Sequence, residues 1–533
     1  MKLVPIFSGS RQYWLLTLIG VGVSIAIANI TGVLLLKTLW QSSSFTHLVF
    51  GFVAIGILVF ALSVLEAYCA ERLGQNYVKA IRCQLYQGLV GAPSYLAPKR
   101  VGVVMSRMIT DSNQIKNWAS IGIPKLTIHS ISAIGLTVFL CLHWGKIGWL
   151  ATGFSIIYLL SMATLTPKMY QIALEIRRDR GRLSGFLGES IIASQTVNQF
   201  NLLNRETRRL ARHNDRLANS SVTQAFLTAA SKHFSHLISQ VMTLCVLVLF
   251  LWENTLPNQE LAVVMLTLGL LFNSLKQLNT SWVYAITFYA AKLRLELALN
   301  NAAPRKPAKE TKLTSKYSHA IQLKRVQLTE DSAPISQSIA PGSAIHIPIS
   351  EPSERLVEIL SKHQLPISGR VTVSGRRLDW LSRQSVNKSI ITLSRASYLL
   401  RGTMKSNLRV SEENLNFLHS LLAHFELSEE HLNETISELG RNLPSLQYAR
   451  LLVIQALLRQ PGLLIISHPD ICANSELMDK VLIWQEKVRF TLLVVGHVSS
   501  HLSERLQDID IKELKSIKTE HTEPGFFTAM EKK

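Results

Sequence analysis

The apolar positions of the chain follow two different patterns. Long uninterrupted apolar stretches occur only in roughly the first 300 residues, whereas the remainder alternates short β-rich runs with amphipathic segments. Six of the long stretches are sufficient to cross about 30 Å of hydrocarbon. The predicted membrane spans cover residues 13–37, 46–69, 121–143, 147–168, 226–252 and 260–285.

The connections between these spans alternate in length. Residues 38–45, 144–146 and 253–259 form short turns, while residues 70–120 and 169–225 form long loops. Both long loops carry apolar residues at three- and four-residue steps, a spacing that predicts helices. We therefore expect the membrane helices to continue well beyond the spans and to fold back through a short turn.

Basic residues indicate the orientation of the spans. The first long loop contains Arg72, Lys79, Arg82, Lys99, Arg100, Arg107 and Lys116, and the second contains Arg177, Arg178, Arg180, Arg182, Arg205, Arg208, Arg209, Arg212 and Arg216. The turn 253–259 has no Lys or Arg. Because Lys and Arg accumulate in cytoplasmic loops, the sequence predicts a bacterial-type inner-membrane protein with both termini cytoplasmic.

Composition supports a membrane protein. Charged residues make up 17% of the 533-residue chain, against about a quarter in soluble domains. The net charge of +20 is compatible with nucleic-acid binding, but the arginines lie beside apolar spans, so we expect a lipid bilayer and no nucleic acid as partner. The five cysteines are scattered without metal-ligand spacing, and no metal site is expected.

The second half of the chain is predicted to be an α/β domain. Residues 300–316 are polar and contain proline, which is typical of a linker between a membrane domain at 1–299 and a second domain at 317–515, followed by a tail at 516–533. Short β-rich runs alternate with helical segments in this second domain. The strand-like runs are 321–328, 344–349, 370–375, 389–394, 463–466 and 491–495, and the helical segments include 411–427, 445–459 and 475–486.

Two segments of the long loops resemble a known family. They are VGVVMSRMITDSNQIKNW (101–118) and GESIIASQTVNQFNLLNRETRRL (188–210). Both are similar to the cytoplasmic hairpins of ABC exporters, with Arg107, Asp111 and Glu189 at motif positions. The resemblance implies a six-helix ABC exporter transmembrane domain. It also implies that these hairpins hold the coupling helices that touch the nucleotide-binding domains.

The second domain resembles the ATP-binding cassette of the same family. Four of its segments follow one another in the family's order. They are SGRVTVSGR, LLRGTMKSNL, ISELGRNLPSLQYARLLVIQALLRQPGLLII and LLVVGH. The whole chain therefore looks like an ABC exporter half-transporter, a membrane α-helical domain fused to an α/β domain of the P-loop NTPase type.

The phosphate-binding loop of this cassette is altered at its chemical residues. A working loop reads GxxxxGK[ST], in which glycines admit the phosphates, lysine reaches them and Ser/Thr holds Mg²⁺. Counting from Pro341-Gly342 places Arg355 at the lysine position, and counting from the following helix places Ser353 there. Neither alignment supplies the glycines, and Glu351 and Glu354 add negative charge where a triphosphate would lie.

The other motif positions implied by the resemblance are altered as well. Ser467 and His468 stand where the family has an aspartate for Mg²⁺ and a glutamate that polarises water, and Arg395 replaces the Q-loop glutamine. The signature sequence reads Leu443-Pro444-Ser445-Leu446-Gln447, whereas the switch histidine is retained as His497. The candidate nucleotide-binding positions are Ser353, Arg355, Arg395, Ser445, Gln447, Ser467, His468 and His497. No catalytic residue is assigned.

Three polar residues of the sixth span are candidates for the translocation path. Lys276, Gln277 and Asn279 lie within or near this span, where charged and polar groups are costly and commonly functional. They are expected to line a substrate cavity or to contact a partner subunit. The alternative places Lys276 near the cytoplasmic end, with its amine reaching the interface.

These observations lead to three functional hypotheses. The first is a non-catalytic half-transporter in a dimer, with a competent heterologous partner preferred over a second copy because both the phosphate loop and the signature are altered. The others are an ATP-independent scaffold or regulator of a secretion or envelope assembly, and a conventional ATP-driven exporter. No cofactor is expected unless the altered site or a partner's site binds ATP and Mg²⁺. Lipid, peptide and drug substrates all stay open.

Overall fold

The computed structural model describes residues 2–41, 45–92, 101–253, 258–302, 311–313, 318–330, 332–409 and 414–508. Most of the predicted linker 300–316 and all of the predicted tail 516–533 lie outside these ranges. The described residues divide into two compact units, one within 2–302 and one within 311–508.

The first unit is built from helices. Within the described residues they are α1 (Arg11–Gln41), α2 (Phe45–Val90), α3 (Val101–Ser106), α4 (Ser112–Asn117), α5 (Ile123–His143), α6 (Gly145–Ile192), α7 (Ser194–Gln199), α8 (Leu203–Glu253) and α9 (Asn258–Ala302). Two π-helical turns, Arg107–Asp111 and Trp118–Gly122, join α3, α4 and α5 into one continuous helix. In the part of the chain that the structure describes, six helices are long and apolar enough to cross a membrane, and each predicted span falls on one of them.

The helices extend far beyond the predicted spans. Helix α8 has 51 residues, so at 1.5 Å per residue it is about 75 Å long, more than twice the hydrocarbon thickness. The connection from α6 to α8 runs through the single turn of α7. Long helices with a short return are what the periodicity of the second loop predicted. The return between α2 and α3 falls on residues 93–100, outside the described ranges.

Close helix packing in this unit depends on small residues. Helix α1 packs along α2, α6 along α8 and α5 along α9. At the contact between α3 and α6, a Cβ added to Gly102 would lie 2.0 Å from the carbonyl oxygen of Ser184. Only a residue without a side chain permits this backbone approach, which explains the glycine at the start of the first hairpin motif.

The second unit combines sheets and helices. Its strands are β1 (Ile321–Gln327), β2 (Ile335–Ile339), β3 (Ala344–Ile347), β4 (Ser368–Val373), β5 (Arg376–Arg377), β6 (Ile390–Leu393), β7 (Gly402–Thr403), β8 (Thr435–Ile436), β9 (Leu463–Ile466), β10 (Thr491–Val495) and β11 (Gln507–Asp508). Its α-helices are α10 (Glu351–Leu360), α11 (Arg383–Ser389), α12 (Met404–Leu408), α13 (Leu415–His424), α14 (Ser445–Leu457), α15 (Pro469–Cys472), α16 (Ser475–Val488) and α17 (Ser500–Arg505). Part of the predicted helix 411–427 falls on residues outside the described ranges.

Two larger sheets organise this unit. An antiparallel sheet has the order β2-β1-β4-β5, and a parallel sheet has the order β11-β3-β10-β9-β6. The continuous apolar run of β9, in which every side chain is buried, is typical of a parallel strand covered on both faces. The predicted α/β architecture is therefore confirmed.

A glycine substitution tests the α3–α6 contact. Gly102→Ala should lower the unfolding temperature of the purified chain in detergent, because overpacking against a backbone oxygen costs about 1–3 kcal/mol. Gly153→Ala on α6 is the matched control, since its added Cβ would meet no atom within 4 Å. Equal shifts in the two variants would contradict the close approach.

Candidate nucleotide-binding edge and buried ion pairs

Four neighbouring parallel strands bring most of the candidate positions to one edge of the sheet. Strands β3, β10, β9 and β6 lie side by side. The carboxyl end of β3 leads into the helix with Ser353 and Arg355, and that of β10 leads to His497. The carboxyl end of β9 leads to Ser467 and His468, and that of β6 leads to Arg395. This edge is where open α/β sheets bind ligands. The structure therefore places six of the eight candidate positions in the same region.

The connection between β3 and α10 is short. Only residues 348–350 separate the end of the strand from the first helical residue, Glu351. With Arg355 at the lysine position, a GxxxxG wrap would occupy residues 349–354. Residues 351–354 are instead the first turn of α10. The chain that would encircle phosphates is therefore mostly helix.

The amino end of α10 is closed by its own serines. Ser353 is fully buried, and its hydroxyl donates to the Ser350 carbonyl oxygen over 2.8 Å and accepts from the Ser350 N–H over 2.8 Å. The Ser350 hydroxyl accepts from the Ser353 N–H over 3.3 Å. This reciprocal pattern is a capping box. It occupies groups that a helix amino terminus otherwise offers to an anion.

Charge at this helix end disfavours a phosphate. Glu351 and Glu354 are exposed in the first turn, where carboxylates already complement the positive end of the helix dipole. Arg355 is half-buried, and its Nε is buried without a hydrogen-bond partner in the described residues. Its guanidinium is the one positive group that this turn offers.

The end of β9 presents an imidazole in place of two carboxylates. The Ser467 N–H donates to the Leu393 carbonyl oxygen over 2.7 Å, which ties this strand end to β6. His468 is 7% exposed, and its Nδ1 has no hydrogen-bond partner in the described part of the chain. Burial lowers the pKa of His468, the Asp470 carboxylate opposes that shift, and the Arg395 guanidinium adds to it.

A second titratable group beside this strand end is inert. Burial raises the pKa of the Cys472 thiol to about 12, so the thiol stays protonated at neutral pH and is a poor nucleophile. At this strand end Ser467 offers a neutral hydroxyl and His468 a nitrogen, so the charged carboxylate oxygens that Mg²⁺ favours are absent at these two positions. Within the described residues, no group of His, Cys, Asp and Glu has the arrangement of a metal site.

Helix α14 carries the other two candidate positions. Ser445 is its exposed first residue and Gln447 is half-buried. The preceding Pro444 has no N–H and provides no side-chain cap. Tyr448 connects this helix to the edge, because its hydroxyl donates to the Ser397 carbonyl oxygen over 3.0 Å and its ring centre lies 6.4 Å from that of His468.

The first hairpin motif forms a buried ion-pair cluster in the helical unit. Asp111 is 2% exposed, and its carboxylate oxygens lie 3.5 Å from Arg177 Nε and 3.4 Å from Arg294 Nη1. Arg294 also donates to the Arg177 carbonyl oxygen over 2.6 Å. Asp111 thus joins the π-helical turn to α6 and α9. Removal of one partner from such a buried cluster is strongly destabilising.

Comparison with known proteins agrees with this architecture. Residues 13–275 match the family model of the ABC transporter transmembrane region. A multidrug resistance ABC transporter ATP-binding and permease protein of Lactococcus lactis subsp. lactis (strain IL1403) is 21% identical over 474 residues, covering 83% of this chain and 78% of that protein. Residues 13–275 therefore form an ABC transporter transmembrane region, and the chain is similar to ABC exporters along most of its length.

One further relative and one solved structure extend the comparison. The colicin V secretion/processing ATP-binding protein CvaB of Escherichia coli is 21% identical over 448 residues, which are 78% of this chain and 62% of that protein. The structure of a bacterial Atm1-family ABC exporter with ATP bound superposes with a TM-score of 0.80 at 15% identity, covering 92% of this chain and 91% of that one. The last likeness supports the fold alone.

The remaining residues predicted for the coupling hairpins and the translocation path occupy different environments. Glu189 is exposed near the end of α6, and Lys276 is exposed in the middle of α9. Gln277 accepts a hydrogen bond from the Lys125 amine over 2.8 Å. Asn279 is buried, and its side-chain oxygen accepts from the Ser231 hydroxyl over 3.1 Å. Asn279 therefore ties α9 to α8.

Some functional contacts were missed at the sequence level. The spacing of Ser350 and Ser353 is the signal of a capping box, but the segment was interpreted as an altered phosphate-binding loop. Arg177 counted only as a loop charge, and Arg294 and Tyr448 carried no local signal. Their roles arise from contacts between segments that are far apart in the sequence.

The capping role of Ser353 predicts an effect that needs no nucleotide. Ser353→Ala should accelerate amide exchange across residues 351–360 in the purified chain, because loss of a cap costs about 1 kcal/mol. Ser445→Ala, at an exposed helix start, is the control and should leave its own helix unchanged. An effect of Ser353→Ala confined to samples with ATP would contradict the structural role.

The lowered pKa of His468 predicts acid sensitivity of this strand end. An unfolded histidine binds a proton near pH 6.5, whereas the folded imidazole resists it, so the stabilising contribution is complete above that pH and declines as the pH falls below it. Amide exchange of residues 463–472, corrected for intrinsic rates, should therefore accelerate between pH 7.5 and 5.5.

A variant isolates this contribution from those of other histidines. His468→Gln should reduce the acceleration, while His497→Gln, an exposed imidazole at the same edge, should leave it as in the unmodified chain. An unchanged pH dependence in His468→Gln would show that other groups cause it.

Proposed function

We propose that this chain is a non-catalytic ABC exporter half-transporter. It contributes half of a transmembrane pathway in a dimer, and the partner subunit supplies ATP binding and hydrolysis. The second unit then acts as a docking and dimerisation platform. The observation that carries this proposal is the three-residue connection from β3 to α10, closed by the Ser350–Ser353 hydrogen bonds.

The chemistry at the neighbouring strand ends supports the same conclusion. Phosphoryl transfer in this fold depends on a cradle of backbone N–H groups, a lysine, a bound Mg²⁺ and an oriented water. Ser467 and the buried His468 supply neither a Mg²⁺ carboxylate nor a strong base at neutral pH. Among residues 348–357, Arg355 is the one cationic side chain, and it lies beside Glu351 and Glu354.

The same reasoning favours a heterologous partner. The resemblance implies that each site pairs the phosphate loop of one subunit with the signature of the other. A partner's phosphate loop would meet the segment 443–447, in which Pro444 removes a backbone donor. A dimer of two such chains would combine two altered loops with two altered signatures, so a competent partner must bring most of the chemistry.

Charge distribution supports placement in an inner membrane. The long connections carry the arginines, and residues 253–259 carry no Lys or Arg. By the positive-inside rule, the extended helix ends and both termini face the cytoplasm. The second unit would then lie in the cytoplasm, where the partner subunit binds ATP.

Nucleotide binding to the isolated chain is the direct test. Purified chain in detergent should give no saturable binding of a fluorescent ATP analogue in the micromolar range with Mg²⁺ present, and Arg355→Ala should give the same result. The matched positive control is a half-transporter with complete motifs, purified in the same way. Micromolar binding that disappears in Arg355→Ala would contradict the proposal.

The dimer is tested with a half-transporter that carries complete motifs. The first candidate is such a protein encoded by a neighbouring reading frame. The ATPase activity of the purified complex should be abolished by substitution of the partner's catalytic glutamate. It should be unchanged by Arg355→Ala or His468→Gln in this chain. Loss of activity in either variant would assign chemistry to this chain, and failure of the two chains to form a complex would favour the scaffold alternative.

A further inference from the structure

Two cavities of the helical unit share the interface of α6 and α9. The first, of about 490 Å³, is lined by four aromatic residues, Trp118, Tyr170, Trp282 and Tyr289, together with aliphatic and hydroxyl side chains; we call it the aromatic cavity. The second, of about 390 Å³, is lined by five arginines and by apolar side chains. Both volumes lie in the range of small-molecule sites, about 300–1,000 Å³. We name the surface formed by residues 166–182 and 281–297 the α6–α9 seam.

The two cavities are consecutive along this seam. Tyr170 lines the aromatic cavity and Leu174 lines the arginine cavity, and four helical residues rise by about 6 Å. Tyr289 and Leu293 have the same relation on α9. One ligand of ordinary size can therefore occupy both cavities.

Hydrogen bonds across the seam hold this geometry. The Trp282 indole donates to the Thr166 hydroxyl over 2.8 Å beside the aromatic cavity. Arg177, which lines the arginine cavity, donates to the Thr287 carbonyl oxygen over 2.6 Å. Pro167 lies inside α6 next to Thr166, and a proline removes one helical hydrogen bond there. The aromatic cavity thus adjoins an interrupted turn of a fixed interface.

The arginine cavity has more positive charge than its carboxylates neutralise. Its five arginines are Arg107, Arg177, Arg178, Arg182 and Arg294. Asp111 pairs with Arg177 and Arg294, and Asp179 pairs with Arg182. Arg107 and Arg178 form no ion pair in the described part of the chain, and the Nε atoms of Arg107 and of the buried Arg177 have no hydrogen-bond partner there.

Apolar walls make these unpaired guanidinium groups suited to an anion. Val103, Leu174, Leu293 and Leu297 line the same cavity as the arginines. A charged group beside apolar surface is stabilised by an opposite charge that also satisfies its hydrogen-bond donors. The planar guanidinium fork matches a phosphate with two parallel hydrogen bonds.

We propose that the α6–α9 seam binds an amphiphile that carries a phosphate group. Its apolar body occupies the aromatic cavity among Trp118, Trp282 and Tyr289, and its phosphate lies on Arg107 and Arg178. This names a substrate class for the half-pathway and so rests on the proposed function. A membrane lipid with one acyl chain and a soluble aryl phosphate share this chemistry.

Binding to the full chain, purified in a maltoside detergent that carries no phosphate, without partner or nucleotide, tests the inference. Radiolabelled oleoyl lysophosphatidate should bind saturably, and monoolein, which lacks only the phosphate, should bind at least about tenfold more weakly, as expected for loss of charge-assisted hydrogen bonds. Competition by 1-naphthyl phosphate would identify a soluble aryl phosphate as an equivalent ligand, and its failure would identify the lipid. Equal affinity for monoolein would overturn the proposal.

Variants separate the two halves of the site. Arg178→Gln should weaken lysophosphatidate binding by roughly tenfold and leave monoolein binding unchanged, while Arg208→Gln, an equal loss of charge at an exposed position of α8, should change neither. Tyr289→Ala should weaken both probes, with the exposed Tyr86→Ala as control.

Two results would reject the site in a properly folded chain. One is unchanged lysophosphatidate affinity in Arg178→Gln, with its unfolding temperature equal to that of the unmodified chain. The other is displacement of lysophosphatidate by inorganic phosphate at equal concentration, which would indicate an ion site without an apolar part. Because neither partner nor nucleotide is present, failure here is distinguishable from failure of the half-transporter proposal.

Discussion

Burial of four neighbouring parallel strands determines where the candidate chemistry of the second unit lies. Strands β3, β10, β9 and β6 are held in register by apolar side chains on both faces, and their carboxyl ends open at one edge. This arrangement depends on core packing and not on any group that touches a ligand. The frame of the sheet is therefore independent of the residues that stand at its edge.

The helical unit shows the same separation between frame and function. The Asp111 cluster and the glycine contact between α3 and α6 fix the extended helices to one another. The exposed Lys276 and Glu189 lie outside these contacts. Positions that hold the bundle together are therefore distinct from positions that remain available to a substrate or to another subunit.

Much of the fold could be predicted from local patterns, because apolar runs report burial directly. LLII at β9 and AIHI at β3 were expected strands, and each predicted span falls on a long helix. The helix ends were not predictable from hydropathy, since the extensions of α2 and α6 are amphipathic. The contacts of Arg177 and Arg294 with Asp111, and of Tyr448 with Ser397, join distant segments and leave no local signal.

The early start of α10 affects how the chain could change in evolution. Restoring the letters of a phosphate loop would need glycine at 349 and 354, lysine at 355 and serine or threonine at 356. Even then, residues 351–354 would still be helical. A wrap of the required length needs one helical turn to unwind, or an insertion after Ile347, and the Ser350–Ser353 hydrogen bonds oppose the unwinding. Single substitutions are therefore insufficient to build a phosphate-binding loop at this position.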